Sequence, residues 1–132
     1  MNKLGDLSCN EFLTELASAA PAPGGGGGAA MAGALAAALA SMVANLTIGK
    51  EKFADREPEV KELLEQAEAE RVRLLTLVDE DAAVFNSFMS CYKLPKTTDE
   101  EKAARTAAIR AAAKQAATVP LNIARSSFAV LK

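Results

Sequence analysis

The chain has 132 residues, half of them apolar but only 5% aromatic, and its 15 basic and 17 acidic side chains give a net charge of −2. This length sets a single domain as the expectation, and the near balance of charge excludes the basic footprint of a nucleic-acid binder. With no histidine, and with Cys9 and Cys91 showing no ligand spacing, neither a metal site nor a histidine base is expected, and the cysteines read as reduced thiols of a cytoplasmic protein. Much of the apolar content is Ala, which suits helices packed at close range. Such a thin core gains from a partner subunit.

The first fifteen residues carry Asp6, Glu11 and Glu15 and do not read as a secretory signal. Ser8-Cys9-Asn10-Glu11 has the spacing of a capping box and predicts a helix to about residue 19. Pro21-Ala22-Pro23 ends it, and Gly24 to Gly28 reads as an oligoglycine loop. A long helix of Ala and Leu is then predicted from about residue 29 to 52, with Leu35, Leu39, Met42 and Leu46 on one stripe. The whole stretch from Leu16 to Gly49 lacks charge, but its prolines, glycines and alanines argue against a membrane span. Arg56-Glu57-Pro58 opens a third, amphipathic helix reaching about Tyr92. Leu94-Pro95-Lys96 breaks it, and the capping box Thr98-Asp99-Glu100-Glu101 opens a fourth, which Pro120 is expected to kink or divide. No segment reads as a strand.

The third helix carries the sharpest clue. At about 100° per residue, Leu74, Leu77, Phe85, Phe88 and Tyr92 fall within about 40° of Asp81, so that acid lies in the middle of an apolar stripe. Asp79 points to nearly the opposite side and reads as solvated, and Glu80 lies at a boundary. A carboxylate on a core face is hydrogen-bonded, paired or protonated. Asp81 could pair with a cation, cap a neighbouring helix, or, with its pKa raised by desolvation, exchange protons near neutral pH.

The glycines leave the same kind of choice. At a helix start, free amides receive an anion or a ligand oxygen, and glycine lets a flat ligand approach the backbone. A flexible linker or a close helix crossing would use the same residues. No Gly-Lys-Ser/Thr follows, so this is not a Walker loop. Lys50 and Lys96 stand near helix ends, where cations complement the macrodipole. Either could instead meet the carboxylates of an acidic ligand.

Pro21-Ala-Pro-Gly-Gly-Gly26, Ala40-Ser-Met-Val-Ala-Asn-Leu-Thr-Ile-Gly-Lys50, Val78-Asp-Glu-Asp-Ala-Ala-Val-Phe85, Leu94-Pro-Lys96, Glu100-Glu-Lys102 and Val119-Pro-Leu121 follow one another in order. Together they resemble the cyclodeaminase domain of formiminotransferase-cyclodeaminase, which also occurs alone in bacteria as a methenyltetrahydrofolate cyclohydrolase or cyclodeaminase. The resemblance covers nearly the whole chain. It implies an all-α fold, an elongated bundle of long antiparallel helices that forms homodimers, with residues 1–132 as the N-terminal part of a domain that continues for several more helices. It implies a tetrahydrofolate substrate, no metal and no separate cofactor. The second aspartate of the family's Val-Asp-x-Asp-Ala motif, its acid–base residue, maps onto Asp81, the residue that the helical wheel also selects. Gly24, Gly25 and Gly26 inherit a folate-contact role. Lys50 and Lys96 match family lysines, and their contact with the folate tail is an expectation. The family's Pro-Thr-Pro-Gly-Gly-Gly-Ser has Ala22 and Gly27 here in place of its two hydroxyls. A non-catalytic helical dimerisation module of the same fold is the competing reading.

Overall fold

The computed structural model describes residues 3–132. Among them are four α-helices and no strand: α1 (Cys9–Leu16), α2 (Gly25–Thr47), α3 (Glu57–Cys91) and α4 (Asp99–Leu131), with short 3-10 turns at Leu4–Asp6 and Glu51–Arg56. Both capping boxes form. The Ser8 hydroxyl accepts the Glu11 amide while Glu11 takes the Ser8 amide, and Thr98 and Glu101 do the same at α4. Each satisfies two amides that have no partner within the helix. Pro58 sits in the first turn of α3, and Gly49, at φ 84°, lies just past the end of α2.

Several boundaries differ from the sequence reading: α1 ends at Leu16 rather than about residue 19, and α2 at Thr47 rather than about residue 52. Gly25 to Gly28 are not a loop but the first turn of α2, with Gly24 as its N-cap. And α4 runs through Pro120 undivided. Val119 and Ile123, on either side of that proline, are both buried, so packing holds the helix together where one backbone bond is lost.

Contacts along α3 fix the topology. Gly27 meets Asp81 and Gly33 meets Leu74, so α2 runs antiparallel to α3. Arg105 bonds the Tyr92 carbonyl and Ser126 bonds Glu70, so α4 is antiparallel to α3 as well. The core is small: Phe12, Ala30, Ala34, Leu74, Leu77, Val78, Val119 and Ile123. On α2 the buried positions are Gly27, Ala30, Ala34, Ala37, Ser41 and Ala44. Their alternating three- and four-residue spacing makes one face of small side chains. At Gly33 an added Cβ would lie 2.8 Å from the Ser127 hydroxyl, which shows how closely α2 and α4 approach.

The large side chains of α2 point elsewhere. Leu35, Leu39, Met42 and Leu46 are all more than half exposed. The predicted stripe exists, but it lies on the face turned away from the core. By length and hydropathy α2 could cross a membrane; its small-residue face is instead buried in the bundle.

Candidate active site

The apolar stripe of α3 changes character at Asp81. On the N-terminal side Leu74, Leu77 and Val78 are buried. On the C-terminal side Phe85 is 39% exposed and Tyr92 47%. Asp81 stands at this edge and is half-buried rather than enclosed.

The start of α2 explains the placement. Four N-terminal amides of any helix lack partners within it. Here the Gly27 amide donates to Asp81 Oδ2 at 3.0 Å. Asp81 therefore caps α2 from another helix, and the positive end of the α2 macrodipole favours a negative charge at that point. Oδ1 accepts no hydrogen bond from the described residues. Gly26 is the residue that allows the contact: a Cβ there would lie 2.4 Å from Oδ1 and 2.7 Å from both Cγ and Oδ2. So the glycines serve as a close crossing and a helix start at once.

Over this contact opens a cleft of about 270 Å³. Gly24, Gly25 and Gly26 form one wall, Asp81, Ala82 and Phe85 another, and Ala116 and Pro120 of α4 close it. Thus Asp81 and all three predicted glycines are brought together. Pro120, read from sequence only as a break, turns out to be a wall residue. Asp81 is the one ionisable group in the lining, and no Lys or Arg is present.

The two predicted lysines do not join the cleft. Lys50 lies beyond the far end of α2, about 35 Å from the glycines at 1.5 Å per residue. Lys96 lies five residues past the end of α3, fifteen beyond Asp81, and is exposed. Asp79 also departs from expectation. Its Oδ1 accepts the Leu4 amide at 2.7 Å, which ties the N-terminal turn to α3, so it is not simply solvated. A second and larger groove, about 790 Å³, lies between the C-terminal part of α2, the first turns of α3 and the end of α4. Its lining is mostly Ala, Val and Leu, with Glu70 held by Ser126. Among the described residues no group of three His, Cys, Asp or Glu side chains is placed to hold a metal ion.

The formiminotransferase-cyclodeaminase family model matches residues 8–132. The chain belongs to this family. It is 50% identical to the methenyltetrahydrofolate cyclohydrolase of Methylorubrum extorquens over 121 residues, which are 92% of this chain and 58% of that protein. It is 40% identical to the formimidoyltransferase-cyclodeaminase of Rattus norvegicus, covering 92% of this chain and 22% of that one. The crystal structure of formiminotetrahydrofolate cyclodeaminase from Thermotoga maritima is similar at a TM-score of 0.78 and 35% identity, over 94% of this chain and 58% of that chain. This family member therefore spans little more than half the length of its bacterial relatives.

Proposed function

We propose that the cleft is the acid–base centre of a tetrahydrofolate one-carbon enzyme, a cyclodeaminase or cyclohydrolase, with Asp81 as proton carrier. The observation that carries the reading is a carboxylate with one oxygen fixed by the Gly27 amide and the other without a protein donor, at the mouth of a cleft walled by glycines. The names of the relatives supply the substrate class.

In the hydrolase direction water adds to the methenyl carbon of the cationic 5,10-bridge. The water loses one proton as the neutral carbinol forms. The remaining hydroxyl proton is lost as the bond from that carbon to N5 breaks and N5 gains a proton, so neutral 10-formyl-tetrahydrofolate results with net release of one proton. In the deaminase direction N10 attacks the carbon of the protonated formimino group of 5-formimino-tetrahydrofolate and loses its proton. The departing NH2 gains one and leaves as ammonia, so the cationic 5,10-methenyl bridge results. Either sequence needs a base and then an acid at nearly the same point, which one carboxylate can serve in turn. A fixed carboxylate also stabilises the cationic bridge, and the glycine wall holds the ring at working distance. At about 270 Å³ the cleft suits the bicyclic head of the substrate rather than the whole molecule. The acidic tail then falls to groups outside this cleft.

The exposed stripe Leu35, Leu39, Met42 and Leu46, spaced four, three and four, fits a second copy of the chain as partner. Met42→Glu should dissociate such a dimer in analytical ultracentrifugation.

Purified protein incubated with 5,10-methenyl- and 5-formimino-tetrahydrofolate tests the main reading. Conversion of one or both, together with a folate-dependent rise in melting temperature, is expected. No melting shift at saturating folate would favour a non-catalytic helical module.

A further inference from the structure

Within the folate reading, we infer that Phe85 selects the substrate by charge, receiving the planar amidinium bridge of the methenyl or formimino form against its ring. Three observations meet here. Phe85 follows Asp81 by one helical turn and lines the same cleft, where it is the single aromatic wall. Phe85 is 39% exposed and lies outside the cluster that forms the core, whereas its neighbour Val84 packs against that core. And the ionisable lining of the cleft is one acid with no base.

A cleft with a carboxylate, an aromatic wall and otherwise Gly, Ala, Val and Pro is suited to a flat organic cation. The carboxylate neutralises the charge from one side, and the quadrupole of the ring attracts it from another. Both proposed substrates carry such a cation, a positive charge shared between two nitrogens and the one-carbon unit. The 10-formyl product does not, because its formyl group is a neutral amide. The ring would therefore hold substrate more tightly than hydrolysed product. That difference favours product release and separates Phe85 from a wall that contributes shape alone.

The experiment compares Phe85→Leu and Phe85→Tyr with the wild-type protein. It measures Kd for 5,10-methenyl-tetrahydrofolate and for 10-formyl-tetrahydrofolate by isothermal titration calorimetry, with melting temperature alongside. Phe85→Leu should weaken methenyl binding roughly 3- to 30-fold while changing 10-formyl binding less than about threefold. Phe85→Tyr should restore the preference. Equal weakening of both ligands would mean a shape contact and overturn the inference, while leaving the folate reading intact. A lowered melting temperature with unchanged ligand preference would make Phe85 a packing residue, again overturning it. Binding of neither ligand by wild-type protein would remove the folate reading and this inference with it.

Discussion

Asp79 and Asp81 stand two residues apart on α3, and each accepts one backbone amide from a distant segment. Leu4 donates to Asp79 at 2.7 Å and Gly27 donates to Asp81 at 3.0 Å. The chemical groups and the bonds are nearly the same, but the surroundings are not. Asp79 lies against the N-terminal turn, where a Cβ on Gly5 would be 3.5 Å from its Oδ2. Asp81 opens on a cleft whose opposite wall carries no side chains. Burial does not separate the two, since both are half-buried. The cleft does: Asp81 lines it and Asp79 does not, so one carboxylate is a tether and the other a tether that also borders an open cleft.

Breaking this contrast on the Asp81 side should have the larger effect. Gly26→Ala places a methyl group on the carboxylate, so Asp81 must swing away and release the Gly27 amide. Turnover should fall on the order of 100-fold, as expected for a reacting group displaced by about 1 Å. The fold should survive, because alanine favours the helix itself. Steady-state assay with a thermal melt on the same sample checks both halves.

On the other side, Asp79→Ala leaves the Leu4 amide without its partner. Stability should fall by about 1–3 kcal/mol, read from urea denaturation, with KM and kcat unchanged within about twofold. A loss of activity without a loss of stability would erase the distinction between the two acids.

Smaller still is Ser8→Ala, which removes one cap of α1 and should cost about 1 kcal/mol. Least of all is the acid-side effect of the same cap. The Ser8 hydroxyl, and then the Ser8 amide, hold the Glu11 carboxyl below its ordinary value. A group depressed in the folded state stabilises above its unfolded pKa, and that contribution fades as pH falls through the folded one. Glu11→Gln should thus slightly reduce the drop in melting temperature between about pH 7 and about pH 3.

Much of this arrangement is written locally. The capping boxes at Ser8 and Thr98 and the proline at position 58 mark the starts of α1, α4 and α3, because each acts through bonds within one turn. Asp81 emerges from the periodicity of α3 for the same reason. The glycine run does not, since glycine is a poor helix former. Its helical turn meets a carboxylate 54 residues away and packs closely on Leu16, Pro23 and Val78, contacts that no local pattern shows. Asp79 is misread because its partner lies 75 residues off. The α2 stripe is legible, but the face it presents is not. Small and large apolar residues both mark a helix, and close approach to α3 and α4 selects the small ones for the interior. Lys50 is excluded from the cleft by the length of α2, a separation that the predicted helix from about residue 29 to 52 already implies.

The most direct test is the single-turnover rate of Asp81→Asn with 5,10-methenyl-tetrahydrofolate, measured beside its Kd. The amide side chain keeps an acceptor for the Gly27 amide but cannot carry the proton. The rate should fall by about 10²–10⁴-fold while binding weakens far less. A rate within a few-fold of wild type would show that proton transfer runs through another group.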